Sequence, residues 1–182
     1  MTKSIFKPRV SASKLKALAL HYPADYDHEV ESVLAPRVQE RGYFTKPEFE
    51  QLCKWKSPRS QRKVTANSAE YIEAVTRTAL STESEQLRIE VLTLLNGVSW
   101  PTASVILHFC HKEPYPILDV RALWSLGVEA SKVTYNFDLW REYTQVCRGL
   151  AKSTGLSMRE LDRALWQYSK DIAKGLIDKR KR

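Results

Sequence analysis

The sequence predicts an all-α fold, and three observations predict it. Apolar residues recur at helical spacing along most of the chain, as in Ala103, Ile106, Leu107 and Cys110, or Leu139, Tyr143, Val146 and Leu150. Thr45, Asn67, Thr82 and Ser157 each stand three positions before a glutamate, the spacing at which two side chains satisfy the free N–H groups of a helix start reciprocally. No stretch alternates apolar and polar residues as a half-buried strand would. With 182 residues the chain can bury a substantial core without disulfides or metal, as one medium domain or as two small lobes.

The elements follow in order. Helices over 12–21 and 24–40 rest on apolar spacing alone, whereas 46–56 is opened by Thr45 with Glu48, 68–80 by Asn67 with Glu70, and 83–95 by Thr82 with Glu85. Ser99 or Trp100 caps 100–110, in which an early Pro101 costs no internal hydrogen bond. Asp119 opens 120–127, whose Val120, Leu123 and Trp124 share a face; Leu139 to Leu150 defines 137–152. Ser157 with Glu160 opens 158–175, with Leu161, Leu165, Tyr168 and Ile172 at helical spacing. Residues 57–66 form the longest irregular stretch, and 178–182 read as a frayed basic tail.

Lys and Arg number 29 against 21 Asp and Glu, a formal charge of +8 that favours polyanionic partners. Cys53, Cys110 and Cys147 are odd in number, far apart and without a Cys-x-x-Cys pair, so they read as reduced, core-filling thiols with no metal or iron–sulfur site. Neither a signal-like apolar segment nor a run of membrane-spanning length occurs, so no membrane association and a cytoplasmic location are expected.

Chemistry concentrates at Leu94-Leu95-Asn96-Gly97-Val98-Ser99-Trp100-Pro101-Thr102-Ala103, followed by Leu118-Asp119-Val120-Arg121. Two helices meeting around a glycine turn can aim unpaired N–H groups at one point, and a helix N-terminus adds positive potential there. A phosphate suits such a place; so does an ordinary buried corner. Asp119 is equally at home as an N-cap and as a lone carboxylate available for chemistry.

This segment resembles the helix-hairpin-helix motif of the endonuclease III-like DNA glycosylase superfamily, whose pattern runs leucine, proline, glycine, aliphatic, glycine, two variable residues, threonine, alanine. Leu95, Gly97, Val98, Thr102 and Ala103 stand in register, and Asp119 lies seventeen positions beyond Thr102, the family's interval to its catalytic aspartate. Asn96 replaces the proline, Ser99 the second glycine, Pro101 the Schiff-base lysine and Arg121 a histidine of the aspartate motif, and the C-terminal four-cysteine cluster is absent. The match covers residues 91–127.

The resemblance implies a two-lobed helical bundle over 1–182 that binds duplex DNA as a monomer. It implies contacts through Gly97, Val98, Ser99 and Thr102, no iron–sulfur cluster, and a hairpin able to hold a monovalent cation. Asp119 would assist water in releasing a damaged or mismatched base, with no lysine for strand cleavage. Lys54, Lys56, Arg59, Arg62 and Lys63 add five cations around Trp55, which is either a stacking platform or a core plug. A base taken out of the duplex needs an aromatic pocket, for which Tyr115 and Trp100 are the candidates, while Trp124 reads as packing. His108 and His111 read as cations at a helix end, and Lys112 has no supporting spacing for a lyase role. A non-catalytic DNA-binding protein on the same scaffold, or a helical interaction protein, are the competing functions.

Overall fold

The capping residues and apolar stripes do their work: the protein is all-helical in a computed structural model that describes residues 4–23 and 27–180, with side chains as far as 173, and no strand forms among the described residues. Helix α1 spans Ala12–Leu20. A π-helical turn, Val30–Leu34, leads into α2, Ala35–Arg41; residues 24–26, where that helix was expected to begin, lie outside the described residues. Then come α3 (Lys46–Lys56), α4 (Gln61–Val64), α5 (Ala69–Ser81), α6 (Glu85–Glu90), α7 (Trp100–Cys110), α8 (Val120–Ser125), α9 (Phe137–Thr154) and α10 (Met158–Arg180).

Several boundaries depart from expectation for local reasons. The 57–66 stretch is not irregular: a 3-10 turn, Pro58–Ser60, runs into α4. The 83–95 helix stops early, because Val91–Leu94 tightens into a 3-10 turn before the glycine corner. Ser68 and Ser84, not Asn67 and Thr82, accept the capping N–H groups of Tyr71 and Leu87. Backbone helix continues through residues 178–180, where a frayed tail was expected; residues 181–182 lie outside the described residues. Val120 does not face inward but is 57% exposed.

Two compact units make up the chain. One is contiguous, Ala24–Tyr115; the other is discontinuous, Met1–Pro23 with Pro116–Arg182. In the contiguous unit α7 packs against α2, α3 and α6, around buried Val38, Phe44, Phe49, Leu52, Ile72 and Ile106. Phe44 meets Phe49 edge-on, and Phe44 N–H donates to Thr76 Oγ1, itself a donor to Ile72 C=O. Trp55 is half-buried with its ring edge-on to Phe109, so it is a plug rather than an open platform.

In the discontinuous unit α10 packs on α1, α8 and α9 around Leu15, Leu123, Trp140, Tyr143, Leu161 and Leu165. Extended backbone before α1 closes the end of α8, where Lys7 and Arg9 N–H donate to Leu126 and Ser125 C=O. Gly127 makes this approach available: its φ is +87°, and a Cβ there would lie 2.3 Å from Lys7 O. Cys53, Cys110 and Cys147 are free and buried in their units, and burial raises each thiol well above its ordinary pKa, that of Cys53 to about 12. No helix among the described residues is long and apolar enough to cross a membrane.

Candidate nucleic-acid interface and carboxylate

The corner between α6 and α7 is built by a turn and a brace. Leu95 is extended, Gly97 takes φ +82°, and Val98 N–H closes the turn on Leu95 C=O at 3.0 Å. Beside it, Asn67 is 2% exposed and spends its whole amide on the corner. Its Oδ1 accepts from Asn96 N–H at 2.8 Å, and its Nδ2 donates to Asn96 C=O at 3.0 Å and Val64 C=O at 2.8 Å. Lys46, at the start of α3, donates from Nζ to Thr65 and Asn67 C=O, both at 2.9 Å, and fixes the same loop from below.

In the sequence alone, Asn67 has the spacing of a capping residue, and its structural place is this brace. The four-atom recognition of one residue by another nearly thirty positions away leaves no periodic trace.

Gly97 also sits against α4. A methyl group there would meet Val64 Cγ2 at 2.7 Å and Lys63 Cβ at 3.2 Å. The glycine corner and the basic run therefore lie side by side within one unit, with Lys54, Arg59, Arg62 and Lys63 exposed and Lys56 half-buried. Among the described residues no acceptor meets the N–H of Gly97, Ser99 or Trp100, and α7 begins there with its positive end. Asn96 N–H, by contrast, is turned inward. Val98 and Thr102 are buried and hold the corner instead of reaching outward, while Ser99 is exposed and Trp100 half-buried.

At the turn Leu95 and Asn96 C=O accept from Val98 N–H and Asn67 Nδ2, and nothing below is routed through an ion. No three His, Cys, Asp or Glu side chains converge among the described residues.

Tyr115, expected against a pocket, is placed in the core. It is fully buried; its hydroxyl donates to Glu85 Oε1 at 2.9 Å and accepts from Arg88 Nη1 at 2.8 Å, and Arg88 Nη2 donates to Thr82 C=O. His108 Nδ1 lies 2.6 Å from Tyr115 C=O. His111 is buried edge-on to Tyr115, with Nδ1 accepting from Glu113 N–H; burial and the Arg88 charge hold its pKa below the ordinary value. His111 is therefore not an exposed cation at the end of α7, and His108 is half-buried. A shallow cavity of about 300 Å³ beside His111 is lined by Gln39, Gly42, Leu80, Cys110 and Lys112.

In the discontinuous unit Asp119 is the N-cap of α8. Its backbone is extended, and Oδ1 accepts from Arg121 N–H at 2.8 Å. It is half-buried, and its charge helps to raise the Tyr135 and Tyr143 pKa values behind the larger effect of burial. Leu118 before it is buried, and the Tyr143 hydroxyl donates to Ile117 C=O at 2.8 Å, so the strand of chain that carries Asp119 is anchored. Trp124 is held under the Arg9 guanidinium at 4.4 Å and beside Tyr168, as packing.

No family model, curated protein or solved structure matches this chain.

Proposed function

We propose that this protein binds duplex DNA and acts as a monofunctional N-glycosylase of the helix-hairpin-helix kind, with Asp119 as its catalytic carboxylate. One observation carries the DNA-binding half of the reading: the glycine corner, where no acceptor among the described residues meets the N–H of Gly97, Ser99 or Trp100, abuts the basic helix that bears Arg62 and Lys63. Backbone amides at a helix start grip one phosphate, and adjacent cations neutralise its neighbours.

For the chemistry, a water oxygen bonds to the sugar C1′ while the C1′–N electron pair departs with the base. The sugar passes through a cationic state that a carboxylate stabilises, and the water proton goes to that carboxylate. The departing base takes up one proton, which restores the carboxylate as its own proton is passed on through water, and the products are the neutral free base and an abasic site. Pro101 has no amine where strand-cleaving relatives of this motif carry a lysine, so hydrolysis without β-elimination follows.

Asp119→Asn is the informative variant, because asparagine caps a helix about as well as aspartate and so removes charge while keeping the cap. On a panel of lesion-containing duplexes, abasic-site formation is expected to fall about 100-fold or more with DNA affinity retained, and borohydride should trap no imine with either protein. Base release at the native rate by the variant overturns the assignment.

The second reading, a non-catalytic DNA-binding protein, is favoured by one specific feature: Asn96 N–H points at Asn67, leaving the corner one donor fewer for phosphate. Salt-dependent duplex binding by the native chain, with no abasic product from any lesion, would select it.

A further inference from the structure

Residues 112–115 end the contiguous unit, and two histidines at the end of α7 hold them by opposite hydrogen-bond chemistry. Tyr115 C=O can only accept, so His108 Nδ1, 2.6 Å away, carries a proton and donates it. Glu113 N–H can only donate, so His111 Nδ1, which accepts from it at 2.9 Å, carries none. His111 is therefore neutral, with its proton on Nε2. His108 keeps its bond whether neutral or charged; His111 cannot.

A charge on His111 is badly placed in the closed arrangement. A proton on Nδ1 would set two donors against each other, and Nε2 is buried with no acceptor among the described residues. From α6, Arg88 faces the ring as a cation already tied to the Tyr115 hydroxyl and paired with Glu85; on the segment itself stand Lys112 and Glu113. Tyr115 lies edge-on to the ring at 5.2 Å, and Cys110 is a buried thiol whose pKa burial raises, so neither supplies a negative charge. From α2 and α5, Gln39 and Leu80 approach, and neither ionises. Two cations thus act on the ring against one exposed carboxylate. His111 also lines the cavity of about 300 Å³ with Gln39, Gly42, Leu80, Cys110 and Lys112, and that space can receive a displaced ring without disturbing core side chains.

We propose that His111 is a pH-operated latch on the last residues of the contiguous unit: neutral, it pins Glu113 to the end of α7, and charged, it releases Glu113 N–H and turns toward the cavity. The His108 bond keeps Tyr115 in place in both states. Burial, with the Arg88 charge, holds the His111 pKa of the closed form below the ordinary 6.5, so the released form takes up the proton first. The stabilisation is complete above 6.5 and is lost as pH falls from there toward the lower closed-form value. Neither the DNA-binding nor the glycosylase reading enters.

The experiment is amide hydrogen exchange of the full chain from about pH 8 to about pH 5, read as protection factors so that the intrinsic pH dependence of exchange drops out. Protection of Glu113 N–H is expected to fall by up to about tenfold for each pH unit below 6.5 and then to level off, while Ile72 and Val75 N–H in α5 hold. In His111→Asn, Oδ1 replaces Nδ1 as an acceptor that does not titrate, and Glu113 protection is expected to stay flat. If that variant does not fold, nitrogen NMR of the native ring decides, with His111 Nδ1 unprotonated at neutral pH and titrating together with Glu113 protection. Flat protection in the native chain, a pH response that persists in His111→Asn, a loss shared equally by α5, or a protonated His111 Nδ1 at neutral pH overturns the latch.

Discussion

At the scale of single residues, the corner depends on Asn67 more than on any side chain that reaches solvent. Its amide satisfies one donor and two acceptors of buried or half-buried backbone, and truncation would strand all three in a place where water cannot easily follow. Asn67→Ala is therefore expected to lower stability by about 1–3 kcal/mol in denaturant unfolding and to weaken DNA binding, although Asn67 touches no ligand. If the variant unfolds at the native denaturant concentration, the corner is held by something else. Gly97 is the complementary position, since left-handed backbone and the Val64 methyl at 2.7 Å exclude a side chain on two independent grounds. Tyr115 teaches a different lesson. An aromatic in a short irregular segment reads as a pocket wall, yet its hydroxyl bridges a 7% exposed Arg88 to half-buried Glu85, whose carboxylate also pairs with Arg88 at 3.6 Å, a role that only long-range neighbours define.

At the scale of elements, the start of α3 shows why caps are legible. Thr45 N–H and Oγ1 both donate to Glu48 Oε2, Arg41 reaches the same carboxylate, and the whole device lies within a few residues of sequence. Burial alone would push the Glu48 pKa up, but the Thr45 bonds and the Arg41 charge together hold it below its ordinary 4.5. The unfolded chain therefore binds this proton first as pH falls: the stabilisation is complete above 4.5 and is lost as pH drops through the lower, folded value. Glu48→Gln should flatten the acid side of a melting-temperature profile taken from about pH 6 to about pH 3, and an unchanged profile would show that the box adds nothing. Thr45 with Glu48 and Ser157 with Glu160 were readable because both partners are local. Asn67 and Thr82 misled because a serine one or two positions later takes the cap and tertiary contacts claim the rest. Helix α4 was hidden by its brevity and by Pro58, and the face of α8 by Val120, which the short helix leaves in solvent.

At the scale of the whole molecule, charge distribution carries more information than the formal +8. The exposed Lys54, Arg59, Arg62 and Lys63 concentrate positive charge in the contiguous unit, beside the Gly97 corner. Diffuse basicity and a built contact surface differ in how they answer salt. If the charge acts only by long-range attraction, removing any four cations weakens association similarly wherever they lie. If the four residues beside the Gly97 corner each neutralise a phosphate, each releases about one counterion, and replacing them all by glutamine removes about 3 to 4 from the log–log slope. Substituting four cations elsewhere, such as Lys14, Lys16, Arg77 and Lys152, then serves as the matched control, because it changes net charge equally without touching the corner. A slope that falls for the corner set and holds for the control set places the interface at the hairpin. Equal loss from both would reduce the corner to an ordinary helical turn and leave only nonspecific basicity, because an oligonucleotide would then be sensing the total charge and not the arrangement of N–H groups and cations around Gly97.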